Sequence, residues 1–168
     1  MEYPKLKYVK DSKGFLDYSK DGVVCQCCGN NTHFYTSSIY SSKDIDVICY
    51  DCVVSGEACK KFNGTFNEIN KIIENKEAMD EIIRKTPTIP AYQEIGWPTC
   101  CNDMCIYIGV CSKEDLENDK IWNDIEETYD EDDSKYIPLE ELKEMNPSYL
   151  LLFKCPICNK YHVVVDLD

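Results

Sequence analysis

The cysteines carry the most legible chemistry. Twelve occur in 168 residues, at 25, 27, 28, 49, 52, 59, 100, 101, 105, 111, 155 and 158. Close pairs of this kind, in a chain with no apolar leader after Met1, suit a bound metal better than a disulfide framework. Cys25-x2-Cys28 and Cys49-x2-Cys52, twenty residues apart, have the spacing of a zinc ribbon. A two-residue gap lets one tight turn aim both thiolates at one ion, and Zn²⁺ takes four such ligands in a tetrahedron. Gly29 permits the positive φ that turns backbone amides toward the sulfurs, which favours Cys28 over Cys27 as the ligand. A buried thiol cluster and a redox dithiol are the competing readings.

A second constellation is less regular. Cys155-Pro-Ile-Cys158 is followed by Asn159, the most tolerant replacement for glycine in the left-handed region. Its companions are Cys100 and Cys101, with Cys105 and His162 in reserve. Adjacent ligands are awkward, because neighbouring side chains diverge. The alternative is a pair of reduced cysteines at a hairpin tip. Cys59, Cys105 and Cys111 read as small core hydrophobes. Cys27 is the odd thiol beside a knuckle, reactive only if exposed. His33 and His162 lie near the knuckles as supporting donors or surface groups rather than ligands.

Catalytic signatures are absent. There is no Gly-x-Ser-x-Gly, phosphate loop, dinucleotide fingerprint or His-Glu-x-x-His. A four-thiolate zinc is coordinatively closed, whereas catalytic zinc keeps an open position. A Cys nucleophile with His33 or His162 as base stays open. Asp130, Asp132, Ser134 and Glu141 mimic a calcium loop, but Lys135 stands where that loop needs glycine, and Pro138 intrudes.

The net charge is −13, and Arg84 is the single arginine. Phosphate neutralisation supplies most non-specific nucleic-acid affinity, so such binding is disfavoured. Residues 114–133 hold eleven Asp or Glu against one Lys. That run reads as a solvated helix and loop, or as a docking surface for a basic partner. No apolar run approaches the ~20 residues of a membrane helix.

The elements that must position these residues are short. Residues 1–24 read as a polar lead-in with turns at Gly14 and Gly22. Strands are expected over 33–40 and 46–50, then a helix capped by Ser55 and running to Phe62. Phe66, Ile69, Ile72 and Ile73, then Met79, Ile82 and Ile83, recur at helical spacing, and that helix must stop before Thr86-Pro87. Residues 86–99 read as a loop packing aromatic rings. Residues 105–110, 149–154 and 161–165 are strand candidates, the last two flanking the second knuckle. Ser112 and Asp115 open an acidic helix, and a helix can begin after Pro138. The expected architecture is α+β: small zinc-ribbon-like β elements with two Cys knuckles plus helices, one compact domain over residues 1–168. Its parts would be a zinc-ribbon lobe at about 22–62, a helical middle at 63–86 and a C-terminal lobe at 87–168.

The order of short motifs resembles the CbrC family over nearly the whole chain. Pro4-Lys-Leu-Lys-Tyr8, Cys25-x-Cys-Cys-Gly29, Tyr35-Thr36, Tyr40, Cys49-x-x-Cys52 and Lys61-Phe62 come in family order. Arg84-Lys-Thr-Pro87, Gln93, Trp97, Cys100-Cys101, Asp103, Leu151-Leu-Phe-Lys-Cys-Pro-Ile-Cys158 and Asp166-Leu-Asp168 complete it. Where the family has His-Cys, this chain has Cys100-Cys101, an exchange a zinc ligand tolerates. The family often has Trp at Tyr92 and Gly at Asn159, and the acid-rich stretch around 119–135 has no match in it. The resemblance implies an association with tolerance to a nuclease-type colicin and no enzymatic activity.

The expected function is therefore a cytosolic, zinc-binding protein acting through protein contacts, with metal at Cys25, Cys28, Cys49, Cys52, Cys100, Cys101, Cys155 and Cys158. Its partner would be a protein, a basic one where the acidic run is the docking surface. Two alternatives stand beside it. A nucleic-acid-binding zinc ribbon requires Lys5, Lys7, Lys10, Lys13, Lys60 and Lys61 on one face, and a thiol redox protein would use Cys27.

Overall fold

The most apolar stretch of the chain, Leu150-Leu-Leu-Phe153, organises the C-terminal half. In the computed structural model, which describes residues 1–129 and 137–167, all four of these side chains are buried. They lie on the central strand of an antiparallel sheet, where successive side chains point to opposite faces. Leu151 and Phe153 join one hydrophobic cluster, and Leu150 and Leu152 join another.

The first strands are β1 (Asp17–Val24), β2 (Asn31–Thr36) and β3 (Ile48–Cys49), which form one antiparallel sheet in that order. Two short helices follow, α1 (Tyr50–Val54) and α2 (Glu57–Phe62). Next come β4 (Glu68–Ile69), α3 (Lys76–Lys85) and β5 (Gly96–Trp97), with β4 and β5 paired in parallel. A small hairpin, β6 (Thr99–Cys100) and β7 (Asp103–Met104), leads into β8 (Ile106–Val110). Helices α4 (Lys113–Glu117) and α5 (Asp119–Thr128) precede β9 (Leu150–Lys154) and β10 (Tyr161–Val165). The second sheet runs β10-β9-β8. The described residues form one compact α+β domain with five α-helices and several small sheets.

Three apolar clusters hold these pieces. One combines the N-terminal residues Leu6, Tyr8 and Phe15 with Ile82, Trp97 and Phe153. A second, with Ile48, Val53, Phe62 and Phe66, surrounds the first group of cysteines. The third packs Ile121 and Ile125 of α5 on the far face of the second sheet.

Several sequence expectations are corrected. The lead-in is not merely polar: Leu6, Tyr8, Val9, Phe15 and Leu16 are buried, and the Lys10 N–H donates to the Tyr107 carbonyl at 2.9 Å. The helix expected from Ser55 is two helices, because Ser55 ends α1 and Gly56, at φ +75°, starts α2. The helical periodicity over 66–73 is misleading. Glu68–Ile69 pair with Gly96–Trp97 as strand, and Ile72 is exposed. The helix begins instead at Lys76, where the Asn75 side chain accepts from the Ala78 N–H. After Pro138 only one 3₁₀ turn forms, Leu139–Glu141. The stop before Thr86-Pro87 and the Ser112–Asp115 capping box both occur as read. Residues 130–136, which hold most of the calcium-like pattern and the acids at 130–133, lie outside the described residues.

Candidate metal centres

Each cysteine knuckle is a hairpin tip with the same backbone wiring. Between β1 and β2, the Cys25 N–H donates to the Asn30 carbonyl (2.9 Å) and the Gly29 N–H to the Cys25 carbonyl (2.8 Å). Between β9 and β10, the Cys155 N–H donates to the Lys160 carbonyl (2.9 Å) and the Asn159 N–H to the Cys155 carbonyl (3.1 Å). Gly29 has φ +80° and Asn159 φ +63°, so asparagine takes the left-handed place that glycine holds in the first knuckle. A Cβ on Gly29 would meet nothing within 4 Å, so the demand there is torsional rather than steric.

The partner pairs arrive by different routes. Cys49 is the N-cap of α1 and Cys52 lies in its first turn, so a helix start presents both sulfurs to the first knuckle. The second knuckle meets the β6–β7 hairpin. Its two turn residues, Cys101 at φ +51° and Asn102 at φ +59°, are both left-handed, as a type I′ turn requires. This resolves the difficulty of adjacent ligands. In an extended chain neighbouring side chains point to opposite faces, and a left-handed residue breaks that alternation. Cys100 Sγ and Cys101 Sγ come within 3.7 Å. The Asn102 carboxamide oxygen accepts from the Glu74 N–H (2.9 Å) and the Asn75 N–H (3.2 Å), which ties the turn to the start of α3.

Two groups of four sulfurs result. Cys25, Cys28, Cys49 and Cys52 form one, and Cys100, Cys101, Cys155 and Cys158 form the other. Within each, every sulfur lies within 4.8 Å of the rest. Cys28 and Cys49 are 3.8 Å apart, and Cys100 and Cys158 are 3.6 Å apart. A tetrahedron with metal–sulfur bonds of ~2.3 Å has edges of about 3.8 Å, so the donor set and spacing fit such an ion. Each group could hold a metal ion.

Backbone donors already favour negative sulfur. Cys25 Sγ accepts from the N–H groups of Cys27 (3.3 Å) and Cys49 (3.2 Å), and Cys155 Sγ accepts from Ile157 and Cys158 (both 3.4 Å). Burial pushes the Cys25 thiol up, but backbone donors from Cys49, Cys28 and Cys27 outweigh it and hold it at about 7. The Lys160 N–H brings Cys158 down to about 7. Burial pushes Cys49 up to about 11, and burial with neighbouring thiols raises Cys52 and Cys100. Cys25 and Cys158 are thus the thiols drawn toward the thiolate, the form that binds a cation.

The remaining candidates lie apart. Cys59, Cys105 and Cys111 are buried, and burial raises all three thiols. Cys27 is half-buried, and its carbonyl accepts from the Lys61 ammonium. His33 is exposed and its Nδ1 meets the Ser19 carbonyl at 2.9 Å, while His162 Nε2 is buried without a hydrogen-bond partner. Neither imidazole belongs to a sulfur group. Of the six lysines of the nucleic-acid alternative, Lys5, Lys10 and Lys13 line one groove, Lys60 a second and Lys7 a third, while the Lys61 ammonium donates to the Gln26 and Cys27 carbonyls. Asp166, quoted above only as part of a terminal motif, is buried and accepts from the N–H groups of Tyr92 and Gln93, pinning the loop before Trp97. Its signal was an acid in an otherwise apolar strand end.

A model of the uncharacterised protein family UPF0167 matches residues 3–167. The chain belongs to that family. A UPF0167 protein of Pseudomonas aeruginosa is 25% identical over 119 residues, covering 67% of this chain and 66% of the relative. UPF0167 proteins of Mycobacterium bovis and Mycobacterium tuberculosis are each 23% identical over 111 residues, covering 63% of this chain and 59% of the relative. The chain thus spans less than two thirds of the length of these UPF0167 relatives. No solved structure matches it. Among the described residues, no helix is long and apolar enough to cross a membrane.

Proposed function

We propose that both sulfur groups bind Zn²⁺ as structural centres, and that this UPF0167 protein is a metal-stapled scaffold working through protein contacts in a reducing compartment. The observation that carries the reading is the pair of closed four-sulfur groups, with no histidine or carboxylate in either. Four thiolates fill the coordination sphere of zinc and leave no position for substrate. The metal supplies folding free energy that the two-residue strands around it cannot, because ligand geometry and fold form together.

The contact surface in this reading is the acidic run. Of its described part, Glu114, Glu117, Asp119, Glu126 and Glu127 are exposed, while Leu116, Ile121 and Ile125 face the core. Such a surface steers a cationic partner, and salt screens it over about 10 Å at 0.1 M. The CbrC resemblance supplies a context, tolerance to a nuclease-type colicin.

Elemental analysis with thiol titration tests the metal reading. Two zinc ions per native chain, with all twelve thiols titrating once denaturant and chelator release the metal, is the expected result. One zinc per chain would leave the second group as free thiols and end the two-centre reading. For the contact reading, loss of the protein should raise colicin sensitivity, and binding of the nuclease domain should weaken as salt rises. Salt-independent binding would reject the acidic surface.

A further inference from the structure

One groove of this acidic chain is lined by three cations. A groove of about 710 Å³ opens between α2 and the end of α3, lined by Lys60, Arg84 and Lys85 together with Ser55, Asn63 and Thr65. Among the described residues, Asp80 is the one carboxylate in that lining. Three cations line this groove in a protein whose net charge is −13, with Glu57 beside Lys60 and Glu77 and Glu81 in the field of Lys85. Arg84 is also the only arginine. Basic residues at helix ends complement the helix dipole, which explains the sign of the charge on α2 and α3 separately. It does not explain why two helix ends converge on one concavity whose remaining polar groups include hydroxyls and an amide.

The existing pairs leave these cations available. Asp80 holds Lys85 at 2.8 Å and Arg84 at 3.4 Å, and the Arg84 side chain is 61% exposed. Lys60 meets Glu57 at 2.8 Å with both side chains mostly exposed. Exposed pairs of this kind are worth little, so redirecting Arg84 and Lys60 to a ligand costs little. Asp80 then serves to hold Lys85 in place. The Arg84 fork can meet two oxygens of one anion side by side, and the two ammoniums supply point charges. Tyr40, partly exposed, also lines this groove and brings an aromatic residue beside the cations, with Glu94 and Glu68 in the field of its phenol.

We propose that this groove binds a phosphate monoester through Lys60, Arg84 and Lys85, with the organic part of the ligand against Tyr40. The site is independent of the metal reading, since none of these residues is a cysteine of either sulfur group.

Titration calorimetry and amide NMR on the full metal-loaded chain test it, using inorganic phosphate, phenyl phosphate and phenol as probes. Phenyl phosphate should bind saturably and more tightly than phosphate, with shifts at residues 55–65 and 80–85, and phenol should not bind. Arg84→Gln should weaken both phosphates by about tenfold. Lys60→Gln should weaken them less, and Lys20→Gln, on β1 and away from the groove, should change nothing. Tyr40→Ala should bring phenyl phosphate down to the level of phosphate. Arg84 and Lys60 are exposed, so unchanged unfolding curves should confirm intact folds. No saturation by about 10 mM, or equal losses in Lys20→Gln and Arg84→Gln, would overturn the site. An unaltered phenyl phosphate affinity in Tyr40→Ala would overturn the role of the ring.

Discussion

Single residues decide the knuckles. Gly29 and Asn159 occupy equivalent left-handed positions, and each N–H closes its turn onto the first cysteine. Gly29→Val should cost about 1–2 kcal/mol from torsion alone, since no atom obstructs the side chain. Asn159→Gly should stay within about 1 kcal/mol of the parent, because the turn is already left-handed. Urea unfolding of metal-loaded protein compares them, and equal effects would contradict the shared geometry. His162 is a second residue-scale case. Burial lowers its pKa, Lys160 lowers it further, and Asp124 partly opposes both. Above pH about 6.5 the imidazole is neutral in both states. Below that the unfolded chain takes up a proton that the folded protein resists, so stability falls as pH falls, until the folded pKa is passed. His162→Gln should lose less stability than the parent between pH about 7 and 5.5. An identical loss would assign the acid sensitivity to other groups.

At the scale of elements, irregular segments are held by buried polar side chains rather than by long ladders. Asn67 donates to the carbonyls of Ile82, Thr86 and Pro87, and its own carbonyl accepts from the Ile89 N–H. One side chain thus ties the end of α3 and the turn through Pro87 to the segment that leads into β4. Asn67→Ala would leave several buried groups unpaired and should cost about 3 kcal/mol. Thermal unfolding reads this directly, and a change below about 0.5 kcal/mol would show that water replaces the amide. Trp97 belongs to the same framework: its indole N–H donates to the Cys105 carbonyl at 2.7 Å, and its ring meets Phe153 edge-on.

For the whole molecule, the two sulfur groups differ in shelter. Three of the four sulfurs of the first group belong to buried residues, whereas Cys101 and Cys158 of the second are exposed and Cys100 is half-buried. The first group sits inside its own apolar cluster, with Val53, Phe62 and Phe66 around it. A chromophoric chelator should therefore remove metal in two phases, the fast one from the second group. Cys101→Ala should lack the fast phase and keep the slow one. A single phase in the parent would show that the two centres open together. Loss of the slower ion should unfold the β1–β2–β3 region, which circular dichroism would follow.

The sequence determined the two knuckles. Cys25-x2-Cys28 and Cys155-x2-Cys158, with Gly29 or Asn159 after the second cysteine, are a local instruction that needs no distant contact to be read. The break before Pro87 and the Ser112–Asp115 cap are local in the same way. The tertiary structure decided the rest because it depends on what pairs with what. Residues 68–69 become strand only because Gly96 and Trp97 lie beside them, and Leu6 to Leu16 become core only because Tyr107 offers an edge. Cys100 and Cys101 can share one centre because a left-handed turn, tied by Asn102 to α3, cancels the alternation that adjacent residues otherwise obey. The groove of Lys60, Arg84 and Lys85 exists only where two helix ends, far apart in sequence, meet.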